Sequence, residues 1–133
     1  MKHFKLIFLI FISATSCDPP HNIVFVNDGQ SIAKIRIQVD TTSETNEFRH
    51  FDQLAADSLV IEINPSETFS LDFGIGTWSD NEIKVVANSI KALEIENDDF
   101  LTIYKSRNRI EQLLIENRKN KIGWETEIIY TIK

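Results

Sequence analysis

The pair of side chains best suited to chemistry in this chain is His50 and Asp52. A histidine oriented by a carboxylate is the general base of many hydrolases. The sequence contains no Gly-x-Ser-x-Gly motif that would supply a serine nucleophile. A lone histidine at the edge of an aromatic cluster is more often structural than catalytic. We therefore expect no enzyme, and a small hydrolase using His50 is the least favoured alternative.

Sequence patterns typical of metal and cofactor sites are missing. Histidine, glutamate and cysteine do not occur at the spacings that bind zinc, and the acidic turns lack the pattern of a calcium loop. Gly74-Ile75-Gly76 lacks the third glycine of a dinucleotide-binding fingerprint. The sequence predicts neither a metal nor a cofactor.

Two groups of side chains could instead bind a partner. Residues 105–121 are rich in basic side chains, whereas residues 40–100 are strongly acidic. Charge runs of this kind are usually solvated faces, and we expect first that the two surfaces lie near each other and partly neutralise. If the basic stretch is a contact surface, it predicts a helix that contacts a protein partner through Arg107, Arg109, Arg118 and Lys119. Indole rings can stack on sugars, so Trp78 and Trp124 are candidates for a glycan-binding face. Large aromatic side chains also dominate small cores, and we expect that role first.

Composition narrows the class of partner. The chain has 133 residues, with 14 basic and 20 acidic side chains and a formal charge of −6. Such an acidic protein lacks the lysine and arginine excess that a nucleic-acid backbone demands, so we expect no nucleic-acid partner. The length suits one domain. A single cysteine provides no disulfide and no thiolate zinc site, so burial of apolar side chains must supply the stability.

The first sixteen residues have the order of a secretory signal peptide. Two lysines come first, an unbroken apolar run follows at 6–12, and small residues at 13–16 lead directly to Cys17. The apolar run is too short to span a bilayer, which needs about 20 residues. A basic start, a short apolar run and a small-residue cleavage site predict that residues 1–16 are removed on export.

With a cysteine directly after that site, residues 1–17 resemble the signal of a bacterial lipoprotein. The resemblance implies that the Cys17 thiol is acylated, with palmitate among the attached lipids, and holds the protein in the cell envelope. The protein would face the periplasm or the cell exterior. The alternative is an ordinary cleaved signal with Cys17 as a free thiol, which is a liability in an oxidising compartment. Residues 17–22, with two prolines, would be a spacer, and residues 23–133 one globular domain.

These features together predict a lipid-anchored, non-catalytic interaction module. It would bind another envelope protein, a toxin or an enzyme that it inhibits. A tether of this kind raises the effective concentration of the domain for partners at the same membrane. A surface carbohydrate-binding accessory protein is the alternative.

Alternation of apolar and polar residues predicts most of the strands. They are expected at residues 23–26, 33–39, 58–63, 68–73, 93–96, 101–104 and 124–132. The runs 58–63 and 68–73 flank a turn at 64–67, and we expect them to pair as an antiparallel hairpin.

Capping patterns predict two helices. Ser79 and Glu82 form a capping-box pattern ahead of an apolar stripe, although a strand remains the competing interpretation for residues 80–91. Asn108 and Glu111 predict a second helix that runs to about Arg118, followed by a loop at 120–123. The resulting class is α+β and β-rich, with antiparallel sheets and two short helices. An all-β immunoglobulin-like sandwich is the alternative.

Overall fold

The computed structural model describes residues 19–43, 46–48, 51, 54–121 and 124–133. Within these residues the chain forms nine strands and two helices, which in chain order are β1 (Pro20–Asn27), β2 (Ala33–Val39), β3 (Leu54–Ala55), β4 (Ser58–Ile63), β5 (Thr68–Ile75), α1 (Asp80–Asn88), β6 (Ile90–Glu96), β7 (Leu101–Tyr104), α2 (Arg107–Glu116), β8 (Arg118–Lys121) and β9 (Trp124–Ile132). The predicted β-rich α+β class is confirmed. The all-β alternative is wrong because α1 and α2 are helical.

The described strands form two sheets, with the orders β5-β1-β9-β8 and β3-β4-β2-β6-β7. The paired neighbours are antiparallel except β1 and β9, which lie parallel at the centre of the first sheet. Alternate residues of β1 and β2 are buried, as expected when one face of each sheet turns towards the core. The inward faces of both sheets and of both helices share one apolar cluster.

β1 begins earlier than the sequence predicted. Pro20 opens the strand, a position where the missing proline N–H is tolerated. His21 starts the buried side of the alternation, which continues through Ile23, Phe25 and Asn27. Pro20 to Asn22 therefore belong to the folded domain, although they were assigned to the spacer.

The predicted hairpin between residues 58–63 and 68–73 is wrong, because β4 and β5 lie in different sheets. β4 pairs with β2, and β5 pairs with β1. The Asn27 side chain at the end of β1 donates hydrogen bonds to the carbonyls of Ser31 and Ile63, each at 2.8 Å. Alternation shows which residues face inward but not which strand lies alongside, so the sequence could not reveal this change of sheet.

α1 confirms the capping box and settles the competing interpretation of residues 80–91. The Ser79 hydroxyl accepts a hydrogen bond from the Glu82 amide at 3.2 Å, and the Glu82 carboxylate accepts one from the Ser79 amide at 2.8 Å. The buried stripe of the helix is Ile83, Val86 and Ala87. Ile90, predicted to extend that stripe, instead begins β6.

The secondary structure of the C-terminal third differs more from the prediction than that of the preceding residues. α2 begins one residue after its N-cap, Ser106, so Asn108 lies inside the helix and does not cap it. Residues 118–121 form the edge strand β8, where a helix end and a loop were expected. Their sequence is polar and has no alternation to reveal a strand, although charged side chains are common on sheet edges. Neither of the two described helices is both long enough and apolar enough to cross a membrane.

Candidate functional site

The four basic residues predicted to lie on one helix are divided between two elements. Arg118 and Lys119 lie on β8, not on α2. Arg107 forms an ion pair with Asp40 at 3.3 Å, and Arg109 donates to Gln112 at 2.7 Å. The prediction of a single four-residue basic helix surface is therefore wrong.

Arg118 has a structural role in place of the predicted contact role. Its side chain is only 17% exposed. One guanidinium nitrogen, Nη1, donates to the backbone carbonyl of Trp78 at 2.8 Å and to the Asp80 carboxylate at 2.7 Å, and it lies 3.4 Å from Glu125. Arg118 thereby connects β8 to the start of α1 and supports the backbone at Trp78.

Of the two predicted glycan-stacking residues, only Trp78 has a described side chain. Trp78 is 1% exposed, and its indole N–H donates to the Asn22 carbonyl at 3.1 Å. No ring face is left for a sugar to stack on, so the stacking role of Trp78 is wrong. Trp124 begins β9, but its side chain lies outside the description, as do Cys17, His50 and Asp52.

The structure instead shows a pocket of about 350 Å³ that the sequence analysis missed. It lies where the start of β1, the end of β5 and α1 meet. Its lining consists of His21, Glu47, Phe73, Ile75, Trp78, Glu82, Val85 and Val86. The one sequence signal was the alternation of His21 with Ile23 and Phe25, which places the histidine on the buried side of β1.

His21 is held between aromatic rings in this pocket. Its ring centroid lies 3.8 Å from that of Trp78, with the planes inclined at 44°, and 6.3 Å from that of Phe73 in an edge arrangement. The residue is 9% exposed. Its Nε2 is buried and has no hydrogen-bond partner among the described residues. The ring is therefore held by its stacking contacts and by a hydrogen bond from its other nitrogen to the Phe73 backbone.

The charge state of His21 follows from its surroundings. Burial lowers the pKa of His21 below 6.5; Glu82, a hydrogen bond to the Phe73 backbone, Asp72 and Glu47 each oppose that shift without cancelling it. Because Nε2 has no partner, Nδ1 must donate the bond to Phe73. At neutral pH the imidazole is uncharged, and Nε2 carries a lone pair.

Glu82 supplies a carboxylate whose position is defined by the helix cap. Burial raises the pKa of Glu82, but the hydrogen bonds from the Ser79 hydroxyl and amide, together with His21, outweigh this and lower it from 4.5. One oxygen, Oε2, accepts both bonds from Ser79, at 2.7 and 2.8 Å. Glu82 is therefore ionised at neutral pH. Glu47, an exposed residue on the opposite loop, adds a second carboxyl group.

We expect His21 to make the stability of the fold pH-dependent. Its pKa is lower in the folded chain than in the unfolded one, so the unfolded chain takes up the proton first as the pH falls. The neutral form of His21 therefore makes its full contribution to the free energy of unfolding above pH 6.5. As the pH falls below 6.5, that free energy decreases by at most about 1.4 kcal/mol per pH unit. Urea unfolding at pH 7.5 and 5.5 should show a larger loss for the native sequence than for His21→Gln.

The carboxyl groups facing His21 are Glu82 on α1, Asp72 on β5 and Glu47. The pKa of Glu82 is below 4.5, so that group loses its contribution only at pH values lower than the range compared. Equal losses of stability in the native sequence and His21→Gln would contradict the assignment to His21.

The described residues include no group of three or more histidine, cysteine or carboxylate side chains placed to hold a metal ion. The chain matches no family model, no curated protein and no solved structure.

Proposed function

We propose that this chain is a lipid-anchored, non-catalytic binding module of a bacterial cell envelope, with the pocket beside His21 as its ligand site. The observation that carries the binding role is the pocket itself. Its volume of about 350 Å³ lies at the small end of the range for small-molecule sites, about 300 to 1,000 Å³. Its lining combines apolar walls with a few polar groups, the usual composition of such a site.

The described lining also supports a binding role over a catalytic one. It contains no serine, threonine, cysteine or lysine, and His21 and two carboxyl groups are the only side chains there that could take the part of a nucleophile. The stacked ring of His21 and the cap-bound carboxylate of Glu82 are held in place by neighbours in the fold. A carboxylate held in this way suits recognition of a ligand.

The proposed anchor places the pocket close to a membrane. β1 begins at Pro20, three residues after Cys17. Three extended residues reach at most about 11 Å. His21 directly follows Pro20, so a lipid on Cys17 would hold the pocket near the lipid headgroups. Binding of a protein partner remains a prediction, because the contacts among the described residues do not test it.

Replacing Cys17 by serine tests the anchor. Since a serine hydroxyl cannot be acylated as the thiol is, we expect Cys17→Ser to move the protein from the membrane fraction to the soluble fraction and to abolish labelling by radioactive palmitate. Ser16→Ala is the matched control, because it keeps a small residue before the cysteine and should leave both readouts unchanged. Membrane retention of Cys17→Ser together with unlabelled native protein would overturn the anchor.

A further inference from the structure

The charged groups that line the pocket are carboxyl groups. Glu47 and Glu82 lie on its wall, and none of the described lining residues is lysine or arginine. Asp72, on β5, lies near enough to raise the pKa of His21. Since His21 itself is neutral at pH 7, no positive charge in the lining offsets these carboxylates. The pocket therefore favours a positively charged ligand over an anion.

His21 strengthens this preference through its tautomer. Nδ1 donates its proton to the Phe73 backbone, and the unpartnered Nε2 has only a lone pair. The ring therefore has no N–H to offer an anionic ligand. The one other N–H among the described lining side chains, that of the Trp78 indole, is already donated to the Asn22 carbonyl.

The rest of the lining is apolar and would contact an apolar ligand body. Phe73 is half-buried, and its ring forms part of the wall beside Trp78, at a centroid distance of 5.3 Å. Ile75 is 69% exposed and adds an accessible aliphatic side chain to the lining. Val85 adds a half-buried side chain from α1. A cation beside an aromatic ring also gains cation–π attraction.

From these contacts we infer that the pocket binds a small organic cation, an ammonium or guanidinium group carried on a short apolar body. This inference rests on the proposed role of the pocket as the ligand site and names the chemical class of the ligand. The charged end would lie between Glu47 and Glu82. The apolar body would cover Phe73, Ile75 and Val85.

Four probes separate the effect of charge from that of the apolar body. Benzylamine has both, benzyl alcohol has the body without charge, benzoate has the body with the opposite charge, and methylammonium has the charge without the body. Binding is measured as changes in the NMR signals of Trp78 and Val85 in the full chain carrying Cys17→Ser. We expect benzylamine to bind about tenfold more tightly than benzyl alcohol, the combined effect of one ion pair and one cation–π contact. Benzoate and methylammonium should be weaker still.

Two substitutions, each with a matched control, locate the site. Glu82→Gln removes the charge but keeps a side chain that can complete the capping box, and we expect benzylamine to bind about three- to fivefold more weakly. Glu62→Gln, on the exposed side of β4, is the matched charge control and should change nothing. Val85→Trp should fill the pocket and abolish the changes in the Trp78 signals, whereas Lys84→Trp, at the exposed neighbouring position, should preserve them.

The outcomes that would overturn the inference are distinct. If benzoate or benzyl alcohol binds as tightly as benzylamine and Val85→Trp blocks it, the cation class is wrong and the pocket stands as a ligand site. If none of the four probes changes the signals of Trp78 and Val85, both the cation class and the ligand site are wrong. Membrane attachment is tested separately through Cys17, so its failure cannot be confused with either result.

Discussion

Replacing Trp78 by alanine is expected to lower the free energy of unfolding by about 3 to 5 kcal/mol, the range for truncating a large buried aromatic side chain. Trp78 is 1% exposed and packs against the rings of His21 and Phe73. Its indole N–H also donates to the Asn22 carbonyl, which would lose that partner. The loss would leave a cavity beneath the pocket and free the ring of His21. Urea unfolding followed by circular dichroism measures the change without relying on tryptophan fluorescence.

Trp78→Phe separates the loss of packing from the loss of the hydrogen bond. Phenylalanine keeps most of the ring contact and removes the N–H donor, so its cost should be well below that of alanine. If Trp78→Ala cost less than about 1 kcal/mol, the indole could not be the buried support of the pocket described here. The same variant should also lose benzylamine binding, because the floor of the pocket would be gone.

The second large effect is expected at Asn27, which links the two sheets. The residue is fully buried, and its side chain makes three hydrogen bonds: it donates to Ser31 and Ile63 and accepts from the Gly29 amide. Asn27→Ala would leave the Ser31 and Ile63 carbonyls and the Gly29 amide without this partner. We expect a loss of about 2 to 4 kcal/mol, since each buried unsatisfied group costs about 1 to 3 kcal/mol. Urea unfolding again provides the measurement.

Asn64→Ala is the matched control for Asn27→Ala. Its side chain is exposed and donates to Glu67 at the surface, so its loss should cost less than about 0.5 kcal/mol. Asn27→Asp should destabilise the fold at least as much as Asn27→Ala, because it replaces the donor with a charge facing two carbonyl oxygens. Similar small effects at Asn27 and Asn64 would show that the side chain of Asn27 does not connect the sheets.

Elements of this fold that depend on local interactions are predictable from the sequence. β2 and β9 were predicted because alternation over a few residues reports one buried face. α1 was predicted because Ser79 and Glu82, three residues apart, satisfy each other's backbone groups. β8 was missed because an edge strand of charged residues carries no such periodicity.

The candidate site was missed because its parts are far apart in the sequence. His21, Phe73 and Glu82 come from β1, β5 and α1, and they meet only because β5 pairs with β1. Had β5 paired with β4, as the turn at 64–67 suggested, Phe73 would not lie beside His21. The four basic residues predicted to act together also lie apart, because Arg118 belongs to the strand β8 and donates a hydrogen bond to the Trp78 backbone.

The sequence by itself determined the β-rich class, the positions of most strands, the start of α1 and the acidic character of the chain, because periodicity, capping and composition are local properties. Only the tertiary structure decided that β1 lies between β5 and β9, that β4 and β5 separate into two sheets, and that a buried histidine faces two carboxyl groups across a pocket. Those outcomes depend on which strands pair over long sequence distances, and that choice is made by burying the faces of both sheets together in one core.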